Sequence, residues 1–96
     1  MATQRAPNPS TQAGILARLI RPEDDTLPPE VAEGFLGIRF EQRDLDRMHE
    51  LAMKNQDGTL KPREQEEMGN YRHVGYLLDL IHSKARRALK KQQAVR

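Results

Sequence analysis

The sequence predicts an all-α protein in which two or three short helices, three to four helices in total, pack on one long C-terminal amphipathic helix. Residues 62–91 set Tyr71, Val74, Leu78, Ile81, Ala85 and Ala88 at alternating steps of three and four. That spacing keeps them on one face of a 3.6-residue helix. Leu77 and Leu89 widen the stripe, while Arg72, Asp79, Ser83, Arg86 and Lys90 take the other side. Pro22, Pro29, Asp57-Gly58 and Pro62 divide the preceding chain into short helical lengths, and no segment reads as a convincing strand or an internal repeat.

Residues 1–11 carry Pro7 and Pro9 among small polar neighbours and are expected to be a disordered tail. From Thr11 or Gln12 a short helix is predicted through Ile15, Leu16, Leu19 and Ile20, ended by Pro22. Such a helix holds only when docked on the rest of the chain. The acidic run Glu23-Asp24-Asp25-Thr26 reads as an exposed linker. A second helix is predicted over 29–39, opened by Pro29 at the first helical position. Its apolar face is Val31, Phe35 and Ile38, with Leu36 beside them. Gly34 and Gly37 weaken it by about 1 kcal/mol each relative to Ala unless another helix approaches closely. Phe40 is expected to plug the core at the corner.

The third helix is predicted over 41–55, with Leu45, Met48, Leu51 and Ala52 facing inward and Glu41, Asp44 and Asp46 in its early turns, where the helix dipole favours acids. Gly58 supplies the left-handed residue that closes it. Leu60 is expected to fold back on the core, and Pro62 opens the long helix, which at 1.5 Å per residue extends about 42 Å over its regular part. Its far end should project beyond the shorter helices. The ordered domain is placed at 12–91, and 92–96 are expected to be a disordered basic tail.

Composition narrows the function. The chain has 96 residues, two Phe, two Tyr and no Trp, so its core is small and rests on Leu, Ile, Met and Ala, with self-association a means of adding to it. Disulfides and thiolate zinc sites are excluded by the lack of Cys, which fits a reducing, cytoplasmic setting. No stretch resembles a signal peptide or a membrane span, so no membrane partner is expected. The net charge of +2 conceals an asymmetry: residues 84–96 carry Lys84, Arg86, Arg87, Lys90, Lys91 and Arg96 and no acid. Everything before them is therefore net acidic. Cations suit the last turns of a helix by its dipole, and the same cluster is the electrostatic footprint of phosphate or acidic-protein contact.

Catalytic and metal motifs fail on inspection. Residues 53–64 overlie a twelve-residue calcium loop with Asn55, Asp57, Gly58 and Glu64 in register, but Met53 occupies the first ligand position, and Lys54, Lys61 and Arg63 outnumber the acids. An ordinary glycine-closed helix turn is expected there. His49-Glu50 lacks the second His of a zinc helix, Asp79 and His82 supply only two ligands, and His73 lies nearly opposite the stripe. With no Cys, no glycine-rich phosphate loop and only Ser10 and Ser83 as serines, the chain is not expected to be an enzyme, to hold a cofactor or to take a small-molecule substrate. Ala85, Ala88 and Leu89 instead form a seam that the shorter helices are expected to leave open for a partner or a second copy, in the manner of a coiled coil.

From Leu27 onward the chain resembles a group of small bacterial helical proteins found among planctomycetes and cyanobacteria. Pro29-Glu30-Val31-Ala32, Arg39-Phe40, Leu51-Ala52, Gly58-Thr59-Leu60 with Pro62, Tyr71-Arg72 with Val74, Leu77-Leu78 and Lys84-Ala85-Arg86 carry the resemblance. Several of those proteins are encoded beside HNH-type endonucleases, which implies an accessory or antitoxin-like partner of a nuclease. This chain departs from them in having Pro28, Glu41 and Lys61 where a capping Ser or Thr is usual. The expected function is a protein-interaction module whose contact residues are Lys84, Arg86, Arg87, Leu89, Lys90 and Lys91. Nonspecific nucleic-acid binding through the same basic end is the alternative.

Overall fold

The computed structural model describes residues 6–95, with side chains through 93. Four helices follow one another, α1 Gln12–Ile20, α2 Pro29–Leu36, α3 Gln42–Gln56 and α4 Pro62–Val95, and the described residues contain no strand. The expectations for 1–5 and for Arg96 lie outside the described residues.

Thr11 caps α1, its Oγ1 accepting from the Gly14 N–H at 3.1 Å. The turn before it is built on Asn8, whose side-chain oxygen accepts from the Ser10 N–H at 2.9 Å and whose carbonyl accepts from the Thr11 N–H at 3.0 Å. Residues 8–11, assigned to the tail from their composition, are thus a capping turn. It lies so close over α1 that a Cβ on Gly14 would overlap the Asn8 carbonyl and sit 2.8 Å from Pro9 Cα. Only glycine fits there. At the other end Arg21 adopts φ 52°, the left-handed conformation usual for glycine, and Pro22 stops the helix.

Pro29 starts α2 as predicted, but the helix ends at Leu36 instead of Arg39. The Gly37 and Ile38 N–H groups bond to the Gly34 and Phe35 carbonyls, a tight final turn that redirects the chain toward α3. Neither Pro28 nor Glu41 makes a side-chain cap bond, as their chemistry foretold. α3 closes in a Schellman motif: the Thr59 N–H reaches the Lys54 carbonyl at 2.9 Å and the Gly58 N–H that of Asn55 at 3.2 Å, with Gly58 at φ 71°.

With 34 residues, α4 is about 51 Å long at 1.5 Å per residue, which accounts for the molecule's 53 Å long axis. It continues past Lys91 because no Gly or Pro stops it, and Gln92 donates to the Leu27 carbonyl at 3.4 Å. The tail expected at 92–96 is therefore helical through Val95.

α4 is the spine. No Cα of one short helix comes within 8 Å of another short helix; the backbone of each approaches α4. α2 runs antiparallel along its second half, from Leu27 beside Gln92 to Ile38, whose carbonyl is bonded by His82 Nε2 at 2.7 Å. α3 runs antiparallel along the first half, from Asp44 at Tyr71 to Lys54 at Glu64. α1 lies parallel to the middle, its last carbonyl at Lys84. The fully enclosed apolar residues are Ala32, Ala85 and Ala88 at the α2/α4 contact, covered by Leu27, Phe35, Leu36 and Leu89, and Leu51 at the α3/α4 contact. The small side chains let α2 approach closely.

Candidate functional site

The predicted contact residues divide into two groups. Lys84 is 9% exposed, its Nζ donating to the Ile20 carbonyl at 2.6 Å, so this cation closes the end of α1 and is not presented outward. Leu89 packs on the alanine cluster. The seam expected at Ala85, Ala88 and Leu89 is thus filled by α2, which reaches further along α4 than its eight residues suggested because Leu27 and the linker before it continue the contact. Arg86, Arg87, Lys90 and Lys91 remain exposed on the last turns. Lys91 meets Asp25 at 3.3 Å, and Arg87 Nη1 donates to Ser83 Oγ at 3.1 Å. Arg86, Arg87 and Lys90 make no ion pair among the described residues. Because the underside of these turns is buried on α2, the cations stand on a rigid support.

Opposite in character is the start of α4. Arg47 of α3 grips Glu67 with two parallel bonds, Nε to Oε2 at 2.8 Å and Nη2 to Oε1 at 2.7 Å, and its Nη1 reaches Glu50 at 2.6 Å. Such a fork is the strong form of carboxylate pairing and raises the guanidinium pKa further above its ordinary value. Glu64 accepts from Lys54 Nζ at 2.6 Å and from the Lys61 N–H at 3.1 Å. These bonds, with Lys54 the leading cause, hold its carboxyl down at about 2. The Lys61 contact is the reciprocal half of a capping box, satisfying the N-cap N–H, while the Lys61 side chain offers no acceptor for the other half. Glu64 is committed to that role, and residues 53–56 of the calcium-loop overlay are helical. Among the described residues no cluster of three or more His, Asp or Glu is placed to hold a metal.

Phe40 stacks edge-on against Tyr71 with ring centroids 6.1 Å apart, and the Tyr71 hydroxyl donates to Asp44 Oδ1 at 2.8 Å, which lifts the phenol pKa. A groove of about 460 Å³ beside this pair is lined by Arg39, Glu41, Glu67 and Val74. A second groove, about 490 Å³, separates α1 from α4 and is lined by Leu16, Asn70, His73, Val74 and Leu77.

This second groove borders the feature that the sequence reading missed. Ile15, Leu16 and Leu19 of α1 stay on the surface, Leu19 at 71% exposure, and Val74 of α4 is 49% exposed. In α3, Leu45 is exposed as well, and Ala52 with it, so only Leu51 of the four residues expected inside is fully covered. The available signal was α1 itself, which has apolar residues on more sides than one docked face uses. No helix of the described residues is long and apolar enough to cross a membrane. Comparison with known proteins finds no matching family model, no similar curated protein and no similar solved structure.

Proposed function

We propose that the chain is a non-enzymatic protein-interaction module that presents the basic end of α4 to an acidic protein surface. The supporting observation is the set Arg86, Arg87 and Lys90, exposed and without ion pairs among the described residues, on turns whose other face is locked against α2. Cations left unpaired on a rigid support steer an acidic partner at little ordering cost, and salt weakens that encounter. The resemblance to proteins encoded beside HNH endonucleases makes a nuclease the first partner to try.

Nonspecific nucleic-acid binding draws on the same cations. Three or four phosphate contacts release few counterions, however, and leave binding weak at physiological salt. No aromatic is interleaved with Arg86, Arg87, Lys90 and Lys91 in the sequence, and Phe35, which α2 brings to these turns, is packed against the alanine cluster. The test is affinity capture from native lysate with the tagged chain and with an R86E/R87E/K90E variant, each with and without nuclease treatment. One protein retained by the parent chain in both treatments and lost from the variant supports the reading. Recovery of nucleic acid, with proteins lost on nuclease treatment, replaces it with the alternative.

A further inference from the structure

The acidic linker between α1 and α2 lies on the basic end of α4 and is tied there at three points. Lys84 Nζ donates to the Ile20 carbonyl at 2.6 Å, Lys91 Nζ meets Asp25 at 3.3 Å, and Gln92 donates to the Leu27 carbonyl at 3.4 Å. Between these ties the linker holds its own shape. The Asp24 N–H donates to the Arg21 carbonyl at 3.0 Å, and the Asp24 carboxylate accepts from the Thr26 hydroxyl at 2.6 Å and from the Thr26 N–H at 3.1 Å. Asp24 and Asp25 are half-buried, so the stretch whose composition marks it as an exposed linker is a strap. Lys84, Arg87 and Lys91 follow one another at steps of three and four and form a single stripe, with Arg87 between the first two ties.

We propose, resting on the reading of the basic end as a surface for an acidic protein, that this strap is an autoinhibitory contact: Asp25 occupies Lys91 as a carboxylate of the partner would, and the partner binds by displacing it. Charge singles out this occupant. Residues 23–25 are three successive acids, whereas residues 84–91 hold Lys84, Arg86, Arg87, Lys90 and Lys91 and no acid. Among the described residues, the ion pair that these turns make is with the strap. The contact is also weak enough to be exchanged. Lys91 keeps 58% of its side chain exposed and Asp25 33%, and pairs so open to water are worth little. A groove of about 300 Å³, lined by Thr26, Leu27 and Ala88, remains between strap and helix, so close packing does not hold Asp25 down. Lys84 stays bonded to the end of α1 in the exchange; what the partner gains is Lys91, beside Arg86, Arg87 and Lys90.

Fluorescence anisotropy of a dye-labelled hexaglutamate peptide, titrated with the full chain at low ionic strength, tests the proposal. Asp25→Asn should bind the peptide about two- to fivefold tighter than the parent chain. Glu33→Gln removes one acid from the exposed side of α2, changes the net charge equally and should give a smaller gain. In a Lys91→Gln background, Asp25→Asn should give no more than Glu33→Gln does. Binding by the parent with Asp25→Asn and Glu33→Gln indistinguishable, or a full gain that survives Lys91→Gln, overturns the proposal and leaves the reading of the basic end standing. Absence of binding by every variant overturns both.

Discussion

At the scale of single residues, Glu64 does the most with one side chain. It accepts from the Lys61 N–H that opens α4 and from Lys54 of α3, joining a helix start to a helix packing. Its carboxyl lies at about 2 against an ordinary 4.5, so the folded state favours the ionised form. The contribution is therefore complete above 4.5 and is lost as pH falls toward about 2. Glu64→Gln keeps the acceptor for Lys61 but removes the charge facing Lys54. The variant should be less stable than the parent at neutral pH, and the difference should shrink progressively across that acid window. Urea titrations of both proteins at a series of pH values measure it, and a difference independent of pH would remove the carboxylate from this role. Glu64 was legible only as an acid in a first turn; its bond to Lys54 depends on the corner at Gly58, which brings Lys54 back to it.

At the scale of elements, the punctuation was legible because it is local chemistry. Pro29, Gly58 and Pro62 fix helix starts and a stop through φ and missing N–H groups, and α2, α3 and α4 begin or end where those residues require. Burial was not legible in the same way. Tyr71, Val74 and Leu78 follow the same spacing as Ile81, Ala85 and Ala88, yet Val74 is open and the two alanines are enclosed. Periodicity says which side of α4 is apolar but not which length of it another helix reaches. Here the size of the side chain decides: Ala32 against Ala85 and Ala88 lets α2 approach closely, which a larger residue prevents. Ala85→Leu should then force α2 away and cost about 1–3 kcal/mol, measured by chemical denaturation. An unchanged midpoint would show that the contact has room to spare.

At the scale of the whole molecule, the arrangement is three helices on one spine, with no Cα of one short helix within 8 Å of another. Their backbones meet chiefly at α4, so local openings should differ in free energy from helix to helix. α2 encloses the alanine cluster, whereas α1 holds on through the Lys84 bond and one side of a short helix whose Ile15 and Leu19 remain in water. In dilute solution, amide hydrogen exchange should accordingly be slowest in α2 and the facing turns of α4, intermediate in α3, and fastest in α1. Uniform exchange of all four helices through one global opening would mean that the spine couples them completely, and that each short helix owes its stability to the whole fold, not to its own contact with α4.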